Sequence, residues 1–145
     1  MSPLDRAVLA ERAAAIERHL ARVRDRLPEH ASDLVAATDA SDAVILHLWQ
    51  ATQIVIDLAV AACVVRGLGT PQNYADAFRR LESAHLIDAE LANRLVKAAG
   101  FRNIVAHAYG SLDMARVHRA AWSGPADLVA FVGAIDRLLQ RRDPD

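Results

Sequence analysis

Cysteine is almost absent. Cys63 stands alone, so no intrachain disulfide can staple the fold. It lies in an apolar run, which reads as a buried, inert thiol rather than a nucleophile. Glycine (six), proline (five) and aromatic residues are also scarce, and no stretch alternates apolar and polar residues as a half-buried strand does. That argues against a sandwich or a barrel. No glycine-rich phosphate loop and no serine in a nucleophile elbow is present. The histidines stand at 19, 30, 47, 85, 107 and 118, without metal-ligand spacing, so no metal site and no cofactor is expected. An excess of charge is missing too. The net charge is −1, which gives no global support for a nucleic-acid partner, although a local cleft can be basic in a neutral chain. Lys97 is the only lysine; the other basic side chains are arginine.

What is there is alanine, leucine and valine in quantity, and 53% of the chain is apolar. Ala and Leu favour helices. A chain of 145 residues is expected to form a single domain with its own core, with 142–145 frayed at the end. The N-terminal MSPLDRAVLAER contains acidic residues and no apolar h-region, so no signal peptide is read there and the cytoplasm is the expected location. Val44 to Val65 is long enough to span a membrane, but His47, Gln50, Gln53 and Asp57 interrupt it. A helix buried among other helices is the better reading.

The pattern predicts an all-α bundle of five to six helices. The first starts at Ser2-Pro3, carries Leu4, Val8, Ile16, Leu20, Val23 and Leu27 on one face, and ends by Pro28. Asp39 or Ser41 caps a central second helix, which Gly67-Leu68-Gly69 stops. Thr70-Pro71 starts the third. Asp88 caps the fourth, from Ala89 to about Ala106. Asp113 caps a short fifth, Ser123-Gly124-Pro125 breaks the chain, and the last helix runs from Ala126 to Arg141.

The fourth helix carries the chemistry. On a wheel of about 100° per residue, Leu91, Leu95, Ala98, Arg102 and Val105 share one face. A guanidinium on a packed face needs an acceptor, a partner subunit or an anionic ligand. A structural salt bridge, for example to Asp57, would serve equally. His107 follows five residues later, about 140° round. The two converge only if the helix unwinds before His107, as nearby Gly110 would allow, or across a symmetric dimer. A capping or packed histidine is the alternative. Tyr109 returns to the Arg102 face if the helix persists; the alternative to a functional role for it is a packed aromatic whose hydroxyl bonds Arg102 or Asp57.

The segment Arg102-Asn103-Ile104-Val105-Ala106-His107-Ala108-Tyr109 resembles the signature of the HEPN superfamily, in the R-x4-H-x-Y form of its HepT-like branch. Gln53 to Ala59 is similar to that branch's central helix, and Pro71 to Leu81, with Tyr74 and Phe78, to its third. Gly100-Phe101 before the motif and Leu112-Asp113 after it also resemble relatives. The likeness runs in order over nearly the whole chain.

The resemblance implies a metal-independent endoribonuclease, the toxin of a type VII toxin–antitoxin pair. His107 would be the general acid/base, Arg102 would stabilise the phosphate charge, and Asn103 would orient His107 or hold a phosphate oxygen. It implies a homodimer formed around the central and motif helices, with both motifs lining one cleft. It also implies an RNA substrate and a MntA-like nucleotidyltransferase antitoxin that adds AMP to Tyr109; neither DNA nor a membrane is an expected partner. The alternative is a non-catalytic subunit that binds a nucleotidyltransferase or a nucleotide through the same cleft.

Overall fold

A computed structural model describes residues 4–142. Its elements are α1 (Arg6–Arg26), a 3-10 turn (Ala31–Asp33), α2 (Asp39–Val65), α3 (Tyr74–Ser83), α4 (Ala89–Ala108), a second 3-10 turn (Tyr109–Ser111) and α5 (Met114–Arg142). The described residues contain no strand. The all-α expectation holds, with five α-helices.

The helix starts follow capping chemistry. Asp5 accepts from the Val8 N–H at 2.8 Å and caps α1, inside the Ser2-Pro3 start expected; those two residues lie outside the described ones, as do 143–145 of the expected frayed end. Thr38 rather than Asp39 or Ser41 caps α2. Ser41 completes a capping box by accepting from the Thr38 N–H at 3.1 Å. Thr70-Pro71 does not start α3. Asn73 caps it instead, accepting from the Asp76 N–H at 2.8 Å, while Asp76 takes the Gln72 N–H and the Arg80 Nε. Asp88 caps α4 as expected.

The α2 end is a Schellman closure. The Leu68 N–H reaches the Cys63 carbonyl and the Gly67 N–H the Val64 carbonyl, with Gly67 at φ 68°. Gly69, at φ 86°, lies where a Cβ would come within 2.9 Å of Arg80 Nη1, which itself donates to the Leu68 carbonyl. Cys63 is fully buried, its Sγ 3.5 Å from the Ala77 carbonyl, and burial pushes its thiol pKa up. That agrees with an inert thiol.

The expected break at Ser123-Gly124-Pro125 is overturned, because α5 runs unbroken through Pro125. An interior proline costs about 3 kcal/mol. Val117 and Ala121 before it, and Leu128, Phe131, Ile135 and Leu138 after it, are all buried. Each large apolar side chain contributes about 1.5–3 kcal/mol by burial, so keeping both halves in register outweighs one lost hydrogen bond.

Helix α2 is central and packs on α1, α3, α4 and α5. It is long and apolar enough to cross a membrane by length and composition, and half of its most apolar window is buried inside the bundle. The larger core cluster includes Ile16, Ile56, Leu81, Leu95 and an edge-to-face pair, Phe78 and Phe131, with centroids 5.6 Å apart. A smaller cluster joins Val23, Val44, Leu48, Val105 and Val117 under the C-terminal end of α4. His118 pins the α1–α2 connection by donating from Nε2 to the Pro28 carbonyl at 2.8 Å.

One polar contact crosses the α1–α2 seam. The Nδ1 atoms of His19 and His47 lie 3.0 Å apart, a bond in which one Nδ1 donates and the other accepts, so the two rings cannot make it when both are charged. Burial first, then the neighbouring His47 and the arginines Arg18 and Arg22, lower the His19 pKa from 6.5; burial and Arg22 lower that of His47. Both folded rings bind protons more weakly than unfolded ones. Their contribution is present above pH 6.5 and is lost as pH falls through the lowered folded values. The melting temperature should therefore fall between about pH 7.5 and pH 5.5, and the fall should shrink in a His19→Gln/His47→Gln variant. An equal fall in both would assign the effect elsewhere.

Candidate nuclease site

Arg102 emerges from α4 against α2 and α3. Its Nε donates to Gln53 Oε1 at 2.7 Å, and Nη1 to Asn103 Oδ1 at 3.2 Å. The guanidinium carbon lies 5.0 Å from the Trp49 ring centroid and 5.4 Å from that of Tyr74. Two aromatic faces and two amide oxygens thus hold a planar cation in place. The direct salt bridge to Asp57 is not formed; Gln53 stands between, donating from Nε2 to Asp57 Oδ1 at 2.9 Å. Nη2 makes no hydrogen bond among the described residues, which leaves its two N–H donors unused.

His107 is exposed, and no hydrogen bond to it is found among the described residues. Helix α4 continues to Ala108, so the helix does not unwind before His107. Along one helix, Arg102, Ala106, Asn103 and His107 fall at successive angles across about 140°. Arg102 occupies the inner edge of this face, and Asn103 and His107 the outer part. One chain does not converge the pair.

The break comes one residue later. Ala108 has φ −141° and ψ 37°, and the 3-10 turn redirects Tyr109. Its hydroxyl donates to Asp42 Oδ1 at 2.6 Å, in the first turn of α2, and not to Arg102 or Asp57. The bond to Asp42, then partial burial, push the phenol pKa up to about 12. Tyr109 is nevertheless half-exposed and borders a hollow of about 450 Å³ lined by Asp42, Ile45, Leu46, Trp49, Val105 and Ala106.

Asp42, Trp49 and Tyr74 were not singled out for this site by their sequence positions. An acid in the first turn of a helix and two aromatics at core spacing have sufficient structural reasons to be there. Among the described residues no three His, Cys, Asp or Glu side chains group as a metal site.

The sequence profile described as Ribonuclease HepT-like matches residues 16–135. The chain belongs to this family. The HepT-like match spans every element placed above except the start of α1 and the end of α5. A relative is the mRNA nuclease HepT of Shewanella oneidensis, 28% identical over 128 residues, covering 88% of this chain and 96% of the relative. Among solved structures, the tri-AMPylated HEPN toxin of Shewanella oneidensis, in complex with an MNT antitoxin, superposes with a TM-score of 0.81 at 28% identity, covering 90% of this chain and 97% of that one. YutE, a cytosolic protein of Bacillus subtilis, shares the fold at a TM-score of 0.80 and 16% identity, covering 98% and 95%.

The Tyr109–Asp42 bond gives this HepT-like chain a spectroscopic handle. In Asp42→Asn the phenol pKa should drop from about 12 toward the ordinary 10, read by phenolate absorbance with Tyr74 as the second tyrosine. An unchanged titration would show that Asp42 does not hold the hydroxyl in solution.

Proposed function

We propose that this chain is an endoribonuclease toxin that cuts RNA with Arg102 and His107, and that a nucleotidyltransferase antitoxin silences it by adding AMP to Tyr109. The observation that carries the reading is the clamped guanidinium of Arg102, with Nη2 unbonded among the described residues, on the same helix as the exposed His107 imidazole, which makes no hydrogen bond among them. RNA brings its own nucleophile, the 2′-hydroxyl. Cleavage then needs a proton carrier near neutral pH and a fixed cation at the crowded phosphate. Histidine suits the first task and a pre-oriented arginine the second. Proton transfer and charge stabilisation suffice for this chemistry. The Shewanella relative named an mRNA nuclease supports RNA as the substrate class.

The 140° between Arg102 and His107 calls for a second copy. Leu46, Ile104 and Tyr109 are large apolar side chains left exposed around the motif. In the proposed homodimer α4 of each copy faces the other along this patch, so that Arg102 of one chain meets His107 of its partner. Asn103, between them on the wheel, would orient the imidazole or a phosphate oxygen. Tyr109 stands at the rim. AMP on its oxygen removes the proton now given to Asp42 and sets a phosphodiester anion beside that carboxylate. Repulsion would drive the nucleotide away from Asp42, toward the cationic cleft, where it competes with RNA for Arg102.

The divergence of the pair within one chain also favours a second reading, a non-catalytic subunit that docks a nucleotidyltransferase. RNA cleavage separates the two. Wild type should cut RNA in EDTA and arrest growth when expressed alone. His107→Ala should lose about 10²–10⁴-fold in rate and Arg102→Ala about 10²–10³-fold. No cleavage by wild type, with all three proteins equally harmless, would sink the nuclease. For the modification, intact-mass spectrometry after co-expression with the nucleotidyltransferase should show AMP on wild type and none on Tyr109→Phe. Mass added at another residue would overturn the Tyr109 assignment.

A further inference from the structure

A second cationic site lies behind the motif. Between α4 and α5 a cleft of about 260 Å³ is lined by Arg94, Lys97, Arg116 and Arg119. On the α4 wheel it is centred about a quarter-turn from Arg102, on the side away from His107. The one acid in its lining, Asp127, is already committed, accepting from Arg94 Nε at 2.7 Å. Lys97, Arg116 and Arg119 are exposed and make no ion pair among the described residues. Three uncompensated cations around one hollow repel one another, in a chain whose net charge is −1. An anion entering the hollow relieves that repulsion.

The floor says what the anion is attached to. Leu48, Ala98, Phe101 and Leu128 form an apolar base, with Phe101 offering an aromatic ring. A wholly hydrophilic anion would not use such a floor, and an apolar ligand would not use such a rim. The volume lies just below the usual range of small-molecule pockets, about 300–1,000 Å³, and suits one nucleotide unit rather than two. We infer that the α4–α5 cleft binds a nucleoside phosphate, its base on the Leu48–Phe101–Leu128 floor and its phosphate held by Lys97, Arg116 and Arg119. The source is either a free mononucleotide or one nucleotide of an RNA strand. The inference does not rest on Arg102, His107 or Tyr109, and it stands or falls separately from the nuclease reading.

The test uses the full chain and two probes, AMP and a short 2′-O-methyl oligoribonucleotide that lacks the nucleophile for cleavage. Affinities are measured by calorimetry over a range of salt for wild type and for Lys97→Glu/Arg119→Glu. Both substituted side chains are exposed, and a matched melting temperature confirms the fold; Lys97→Gln/Arg119→Gln replaces the pair if charge reversal unfolds it. AMP binding should weaken roughly tenfold or more. Loss of AMP binding alone marks a free nucleotide as the occupant. A parallel loss for the oligonucleotide, with its log–log salt slope reduced by about 1.4, marks an RNA strand. Equal affinities of wild type and variant for both probes would overturn the inference. So would binding of an acidic peptide by a wild type that takes neither probe.

Discussion

An α-helix that is apolar on nearly every side has to be covered on nearly every side, and α2 imposes that demand on this fold. Four helices surround it, and buried side chains on it serve both core clusters. Covering α2 places α4 alongside it and α3 beside both. The few polar or aromatic positions of α2 that reach its margin then become partners for the motif. Gln53 and Trp49 meet Arg102, and Asp42 meets Tyr109. A single helix thus provides the centre of the core and the second half of the candidate site.

The clamp on Arg102 has a mechanistic consequence. A free arginine side chain must be ordered when a phosphate arrives, which costs up to about 2 kcal/mol of rotamer entropy. Between Trp49 and Tyr74, with Nε on Gln53, the guanidinium is ordered in advance. Such preorganisation is what makes a fixed cation effective where charge builds up. His107 makes no hydrogen bond among the described residues, which suits the proton carrier proposed for it.

Local chemistry made much of the molecule legible. The cap at Asp88, the glycine stop at Gly67 and the apolar stripes foretold an all-α bundle of five to six helices, because each signal acts within one or two turns. Pro125 misled for the same reason. Its local cost is real, but contacts made by residues on both sides of it decide the outcome. Thr70-Pro71 yielded to the stronger cap formed by Asn73 and Asp76.

The amino-acid sequence alone determined the all-helical architecture, the family and the identities of Arg102, Asn103, His107 and Tyr109, since periodicity, capping and the R-x4-H-x-Y spacing are properties of neighbours along the chain. Only the tertiary structure decided that Arg102 is held by Gln53, Trp49 and Tyr74 rather than by Asp57, that α4 stays helical past His107, and that Tyr109 turns to Asp42. Those contacts join residues up to 67 positions apart. Their existence depends on how whole helices pack, and packing minimises exposed apolar surface over the entire chain, which no local pattern encodes.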